Sequence, residues 1–234
     1  MATILITGAN RGIGLALARI LLEQGESVIA LARQVSSGLS ELTENYSGAL
    51  DILSCDVNHA EDLEQQASKL RTSHRSIDVI VNNAAIMPEK GDESLLSLDL
   101  NLINRAFATN VVGPINVIRA FFPLLEKSEK PRIVNISSGL GSIAERDDFG
   151  YYPYSISKAA LNMLTRSMAY EFTSKGFVTV AISPGWVRTS MGGEEAPLSV
   201  EESASSLAEA IRSIGHEHNG MFLDRHGKAG TYAW

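Results

Sequence analysis

The most constraining feature of this chain is the stretch Thr7-Gly8-Ala9-Asn10-Arg11-Gly12-Ile13-Gly14. It lies between a short apolar run, Thr3–Thr7, and an amphipathic segment over 13–24. Glycines at such a junction permit a tight turn and let the backbone approach a pyrophosphate. A helix starting immediately afterwards offers free N–H groups and the positive end of its dipole. A glycine triplet alone is a weak signal, because plain turns also carry one. The strand before and the helix after give it weight.

The same alternation continues along the chain. Apolar runs at Ser27–Ala32, 49–54, 77–81, Arg132–Ile136, Val178–Ile182 and 220–223 read as strands. Helical patterns cover 59–73, 98–127 and 154–174, and Ser199 with Glu202 forms a capping-box signature for a helix reaching about Ile214. Gly113-Pro114 predicts a kink or break inside 98–127. The strand runs are continuously apolar, as in strands buried on both faces. The expected fold is therefore α/β: a single Rossmann-type, doubly wound parallel sheet of about seven strands, with helices on both faces. No repeat, low-complexity tract or clear linker interrupts it, so one domain over 1–234 is expected.

Composition narrows the function classes. Asp and Glu total 27 against 20 Lys and Arg, a net charge of -7, which argues against broad binding to nucleic acid or anionic lipid. The five His show no metal-ligand spacing, so no metal is expected. Cys55 is the single cysteine, consistent with a reducing compartment. The first seven residues lack a basic region and a cleavage site, and do not read as a signal peptide. No apolar run approaches the roughly 20 residues that span a bilayer. The expectation is a cytoplasmic protein without a membrane partner.

The glycine spacing is Gly-x-x-x-Gly-x-Gly, preceded by Thr7. That pattern resembles the short-chain dehydrogenase/reductase family, and the resemblance extends along nearly the whole chain. Asp56-Val57 is similar to the family's adenine-contacting pair. Asn82-Asn83-Ala84-Ala85 is similar to its NNAG segment, with Ala85 in place of the usual Gly. Read alone, Asn82-Asn83 is better taken as a strand-ending turn. Pro184-Gly185-Trp186-Val187-Arg188-Thr189 resembles the family's PG segment, in which Val187 backbone meets the nicotinamide carboxamide and Thr189 the phosphates. The cofactor residues so implied are Thr7, Gly8, Asn10, Arg11, Gly12, Ile13, Gly14, Asp56, Val57, Asn82, Ala84, Pro184, Gly185, Val187 and Thr189, with Tyr154 and Lys158 at the reacting end.

An NAD site places an acid at the end of the second strand, to bind the ribose 2′-OH. Here the residues are Ala32-Arg33-Gln34. Arg33 and Arg11 are suited to a 2′-phosphate, because guanidinium bonds phosphate oxygens in a bidentate way. NADP(H) is thus the expected cofactor. The alternative is that both are solvated surface charges.

Tyr154 and Lys158 stand four residues apart, on one face of a helix. A phenol titrates near 10. A nearby ammonium lowers that value, so Tyr154 becomes usable as acid or base. By the resemblance, Lys158 also holds the nicotinamide ribose hydroxyls. Ser138 is similar to the serine that orients the substrate carbonyl, with Ser137 and Ser142 as competitors. Asn110 resembles the helix-kinking asparagine that holds a relay water. The interval from Ser138 to Tyr154 is longer than in many relatives, and the extra chain falls in 144–152.

The combined expectation is NADPH-dependent reduction of a ketone, aldehyde or quinone to an alcohol. Segments 137–143 and 184–193 and the Trp234 terminus most resemble the C-factor-like and sniffer-like carbonyl reductases. Leu140, Ile143, Phe149, Tyr152, Trp186 and Met191 are the expected pocket walls. Glu145, Asp147, Asp148, Glu194 and Glu195 are expected to flank the mouth and disfavour polyanions. A second class is a signalling protein of C-factor type that binds NADP(H) without turnover. A lyase such as a halohydrin dehalogenase is opposed by Gly8, Gly12, Gly14 and Lys158. The family usually forms oligomers, so a homodimer or homotetramer is expected, through helices 98–127 and 154–174. The stripe Leu161, Leu164, Met168 and Phe172 serves either that contact or the sheet.

Overall fold

The apolar runs become seven strands: β1 Thr3–Thr7, β2 Ser27–Ala32, β3 Leu50–Ser54, β4 Val79–Asn82, β5 Arg132–Ile136, β6 Val178–Ile182 and β7 Phe222–Leu223. In the computed structural model, which describes residues 1–72, 76–91 and 93–234, they form one parallel sheet ordered β3-β2-β1-β4-β5-β6-β7. Successive strand residues point to opposite faces, and each face has its own core. Ile4, Ile6, Val28, Ala30, Val79, Val81 and Val134 enter one cluster. Leu5, Ile29, Leu31, Ile80 and Ile133 enter the other. Two buried faces therefore explain why the strands read as unbroken apolar runs.

The first face is covered by α1 (Gly12–Glu23), α2 (Ser37–Asn45) and α7 (Val200–Ser213), through Leu17, Leu21, Leu39, Leu207 and Ile211. The second is covered by α3 (Ala60–Thr72), α5 (Gly113–Leu125) and α6 (Tyr152–Phe172), through Leu63, Val117, Phe121, Leu124 and Met168. Full burial of one such side chain contributes about 1.5–3 kcal/mol. The capping box at Ser199 and Glu202 opens α7 as its sequence predicts. The expected end of the 59–73 helix at Ser73 lies outside the described residues.

Three sequence expectations change. Helix α2 has no counterpart among them. It shows only two buried apolar residues, Leu39 and Leu42, and is started by Ser36, whose hydroxyl accepts the Leu39 N–H at 3.2 Å. The irregularity in the long helix falls before Gly113-Pro114, not at it. Here α4 (Leu100–Phe107) passes into a π-helical turn, Ala108–Val112, which contains Asn110. Pro114 sits in the first turn of α5, where a missing N–H is tolerated. Lastly, Leu100–Leu125 is 26 residues long and apolar enough to cross a bilayer by length and composition, where no such run was expected. Half of that window is buried in this fold, so its apolarity belongs largely to the core face.

The stripe on α6 faces inward. Leu161 and Met168 are buried, and Leu164 and Phe172 pack on the second core. The exposed apolar residues of α6 are instead Ile156, Met163 and Tyr170.

Candidate active site

Strand order reverses beside β1, because the chain crosses from β3 past β2 and β1 to β4. In open α/β sheets, such a switch leaves a crevice at the carboxyl ends of the strands. A cleft of about 1020 Å³ lies there. It is lined by the glycine loop, by the ends of β2, β3 and β4, by Ser138, Tyr154 and Lys158, and by the 183–192 segment.

At one part of this cleft the loop after β1 turns through Gly8 at φ +67° and Gly12 at φ +53°, values open to glycine without strain. Helix α1 starts at Gly12 with no side-chain cap and no acid in its first turn. Its leading N–H groups are therefore available to an anion. Arg11 and Arg33 line the same cleft. Arg11 donates to Ser190 Oγ at 3.0 Å, and Arg33 lies 3.9 Å from the Asp56 carboxylate. Uncapped amides, two guanidinium groups and a close-approach glycine loop form a donor set that fits a phosphate-bearing dinucleotide.

Most of the expected cofactor residues line the cleft: Gly8, Asn10, Arg11, Gly12, Ile13, Gly14, Arg33, Asp56, Val57, Ala84, Pro184, Gly185, Val187 and Thr189. Thr7 and Asn82 do not, and neither does Asn110, which was expected in the relay. They stand one layer behind its wall, each 3% exposed or less. Thr7 Oγ1 accepts the N–H groups of Asn83 (3.0 Å) and Ala84 (2.9 Å). Asn82 donates to Asn135 Oδ1 at 2.8 Å. It is Asn83 that reaches the cleft, while its amide also donates to the Thr7 carbonyl at 2.9 Å. The segment after β4 thus braces the glycine loop.

Tyr154 and Lys158 share the inner face of α6, with exposures of 7% and 2%. Lys158 Nζ donates to the Ile136 carbonyl at 2.8 Å and lies 5.5 Å from the Tyr154 ring centre. Burial pushes the Tyr154 phenol up to about 12; the Ser138 hydroxyl acts against that shift and the Glu89 charge adds to it. Burial pushes Lys158 down to about 7. The sequence expectation was a phenol lowered by the ammonium. Here desolvation dominates, so each group favours its neutral form.

Of the three serines, Ser137 and Ser138 line the cleft, and Ser138 is the one that bears on the Tyr154 phenol, favouring its charged form. Ser137 donates to Asn162 Oδ1 at 2.6 Å, and Ser142 donates to the Ala233 carbonyl. The Asn110 side chain accepts the Ile86 N–H (2.8 Å) and donates to the Ile86 carbonyl (2.9 Å) and to Ser157 Oγ (2.9 Å). Ser157 in turn donates to the Tyr154 carbonyl at 2.7 Å. Asn110 therefore bears on α6 through Ser157.

Of the expected pocket walls, Leu140, Trp186 and Met191 line the cleft. Ile143 and Phe149 are 75% and 65% exposed and do not, and Tyr151 lines it in place of Tyr152. None of the five expected acidic residues at the mouth is among its lining. Sequence reasoning missed Tyr232. Its ring lies against Gly139 and stacks on Phe222 at 5.2 Å, which places it beside the turn that follows Ser138. Among the described residues, no group of three His, Cys, Asp or Glu is placed to hold a metal ion.

The sequence pattern of the short chain dehydrogenase family matches residues 2–197. The carbonyl reductase Sniffer of D. melanogaster superposes with a TM-score of 0.93 at 31% identity, covering 100% of both chains. An NADPH-bound carbonyl reductase from chicken fatty liver superposes at 0.89 and 31% identity, over 100% of this chain and 99% of that one. C-signal of Myxococcus xanthus is 38% identical over 154 residues, which span 64% of this chain and 90% of that protein.

Proposed function

The chain belongs to the short-chain dehydrogenase family, and from that premise we propose that it is an NADP(H)-dependent carbonyl reductase with Tyr154 as its proton donor. The observation that carries the reading is that a buried Tyr154, with Lys158 Nζ 5.5 Å from its ring centre, lines the same cleft as Ser138 and the glycine loop.

When bound, the reduced nicotinamide supplies the hydride. The protein's share is orientation and proton movement. Ser138 donates a hydrogen bond to the carbonyl oxygen and fixes its direction. Tyr154 is neutral at physiological pH, its phenol lying near 12, so it holds the proton that this oxygen takes up. The Tyr154 phenolate left behind is balanced by the Lys158 ammonium. A Lys158 titrating near 7 exchanges protons readily at neutral pH. Lys158 also holds ribose hydroxyls, while Asn110 fixes α6 through Ser157. Arg11, Arg33 and the α1 N-terminus hold the phosphates, with a preference for the 2′-phosphate form.

Leu140, Tyr151, Trp186, Met191 and Tyr232 give the cleft an apolar, aromatic-rich lining. This supports bulky neutral ketones, aldehydes or quinones as substrates. One domain over 1–234, working in the cytoplasm on a small molecule, completes the reading.

The test is a titration with NADPH and NADH, followed by the loss of reduced-nicotinamide absorbance with a carbonyl panel, for the wild type and Tyr154→Phe. Tighter NADPH binding with turnover lost in Tyr154→Phe is expected. The identity with C-signal favours a second reading, a regulatory protein that uses NADP(H) as a ligand. Tight NADPH binding without turnover of any carbonyl selects it, and binding of neither nucleotide overturns both.

A further inference from the structure

The chain between β4 and α4 touches three parts of the site within six residues. Ile86 holds Asn110 through both its N–H and its carbonyl. Gly91, at φ +104°, lies under the Tyr151 ring, where a Cβ would come within 2.3 Å of ring carbons. Between them, Glu89 Oε1 accepts the N–H of Tyr154 at 2.7 Å, from a side chain that is 7% exposed.

Helix α6 lacks the local means to satisfy that N–H. Its N-cap position is Tyr151, in the left-handed region at φ 48° and without a side-chain cap. No other non-glycine residue has a positive φ among the described residues. Such a conformation is unfavourable for a residue with a side chain, so it persists only where the surroundings impose it. Pro153 follows, which has no N–H to offer. The Tyr154 amide is thus an orphan donor of the first turn. Its acceptor comes from 65 residues upstream.

That acceptor is an unfavourable one to keep. A buried carboxylate loses its hydration, and here the second oxygen, Oε2, has no hydrogen-bond partner among the described residues. A Ser or Asp at the N-cap would satisfy a helix start without burying a charge. A half-satisfied carboxylate aimed at the backbone of the one residue that carries the reacting hydroxyl is explained by what it does to that residue.

We propose that Glu89 is a positioning residue for Tyr154. It fixes the Tyr154 amide and thereby holds the phenol hydroxyl in register with Ser138. It touches backbone rather than reacting atoms, so it acts through Tyr154. The inference rests on the acid/base role of Tyr154 proposed above.

The test uses the full chain with Glu89→Ala, Glu89→Gln and Tyr154→Phe. The first readout is hydrogen exchange at the Tyr154 amide in the nucleotide-free protein. The second is the split between kcat and KM for a carbonyl, with NADPH binding measured alongside. Glu89→Ala is expected to speed exchange roughly tenfold and to lower kcat by up to roughly 10²-fold. KM and NADPH affinity stay near wild type. Glu89→Gln keeps an oxygen acceptor, and restores both exchange protection and kcat. Unchanged exchange or unchanged kcat in Glu89→Ala overturns the inference, as does a Gln variant that fares no better than Ala. Should Glu89→Ala not fold, Glu89→Asp replaces it: the shorter carboxylate draws back from the amide, so kcat must fall there while Gln retains it. Turnover that survives in Tyr154→Phe would instead remove the acid/base reading itself.

Discussion

Lys158 Nζ lies 5.5 Å from the centre of the Tyr154 ring, and its hydrogen bond is to the Ile136 carbonyl. The two side chains share a buried helix face, so desolvation acts on both and moves them apart: the phenol up to about 12, the amine down to about 7. In this setting the pair stands ready as a neutral acid beside a near-neutral proton carrier.

That pairing makes stability depend on pH in a defined way. Between pH 7 and 10.5 the unfolded chain protonates Lys158 while the folded chain does not. Stability therefore rises with pH across that window. Above pH 10 the folded chain retains the Tyr154 proton that the unfolded chain loses, so this group's contribution falls up to about 12. Urea unfolding of the nucleotide-free protein at pH 6.5, 8 and 9.5, for wild type and Lys158→Met, measures the first effect. The rise is expected to be smaller in Lys158→Met. Equal slopes in the two proteins would refute the depressed Lys158 titration.

Arg33 is the residue on which NADPH preference is expected to turn. Its guanidinium is largely exposed at the cleft, near Asp56. Hydrogen bonds to a charged group contribute about 1.5–3 kcal/mol, which is roughly 10- to 10²-fold in affinity. Arg33→Ala should weaken NADPH by that factor and leave NADH nearly unchanged, as read by nucleotide fluorescence. A parallel loss for both nucleotides would assign Arg33 to something other than the 2′-phosphate.

Gly14 is predicted to tolerate no side chain. A Cβ there would lie 2.5 Å from both the Gly8 carbonyl oxygen and Asn83 Nδ2. Overpacking of this kind destabilises by about 1–3 kcal/mol. Gly14→Ala should melt roughly 3–10 °C lower and bind NADPH more weakly, because the displaced atoms belong to the glycine loop and its brace. Wild-type melting and affinity would show that the loop has room that its contacts deny.

Tyr232 should discriminate among substrates. Its ring lies on Gly139, one residue after Ser138, and lines the cleft. Tyr232→Ala is expected to raise KM for bulky aromatic ketones more than for small ones, with NADPH affinity unchanged. Steady-state kinetics over a size series checks this, and a uniform change across the series would place Tyr232 outside the substrate end.

Much of this protein is written locally. The apolar runs of β1 and β2, and the mostly apolar β5 and β6, require burial on both faces, and the alternation with helices then leaves a doubly wound sheet as the arrangement that covers them. The glycine loop depends on neighbours in sequence, so its turn and the uncapped start of α1 were legible. The spacing of Tyr154 and Lys158 sets their common face for the same reason. Helix α2 was not legible, because two buried leucines and a serine cap make too faint a pattern.

What only the tertiary structure decided are relations between distant segments. Packing of α6 against its neighbours engages Ser137 with Asn162 and Ser142 with the Ala233 carbonyl, and leaves Ser138 bearing on the Tyr154 phenol. It also sets the sign of the Tyr154 and Lys158 shifts, since desolvation depends on everything that surrounds a group. Thr7, Asn82 and Asn110 match motif positions, yet their side chains brace the wall rather than form it. Glu89 and Tyr232 reach the site from 65 residues before Tyr154 and from the end of the chain. No periodicity records such contacts, because they form only when separate elements are packed against one another.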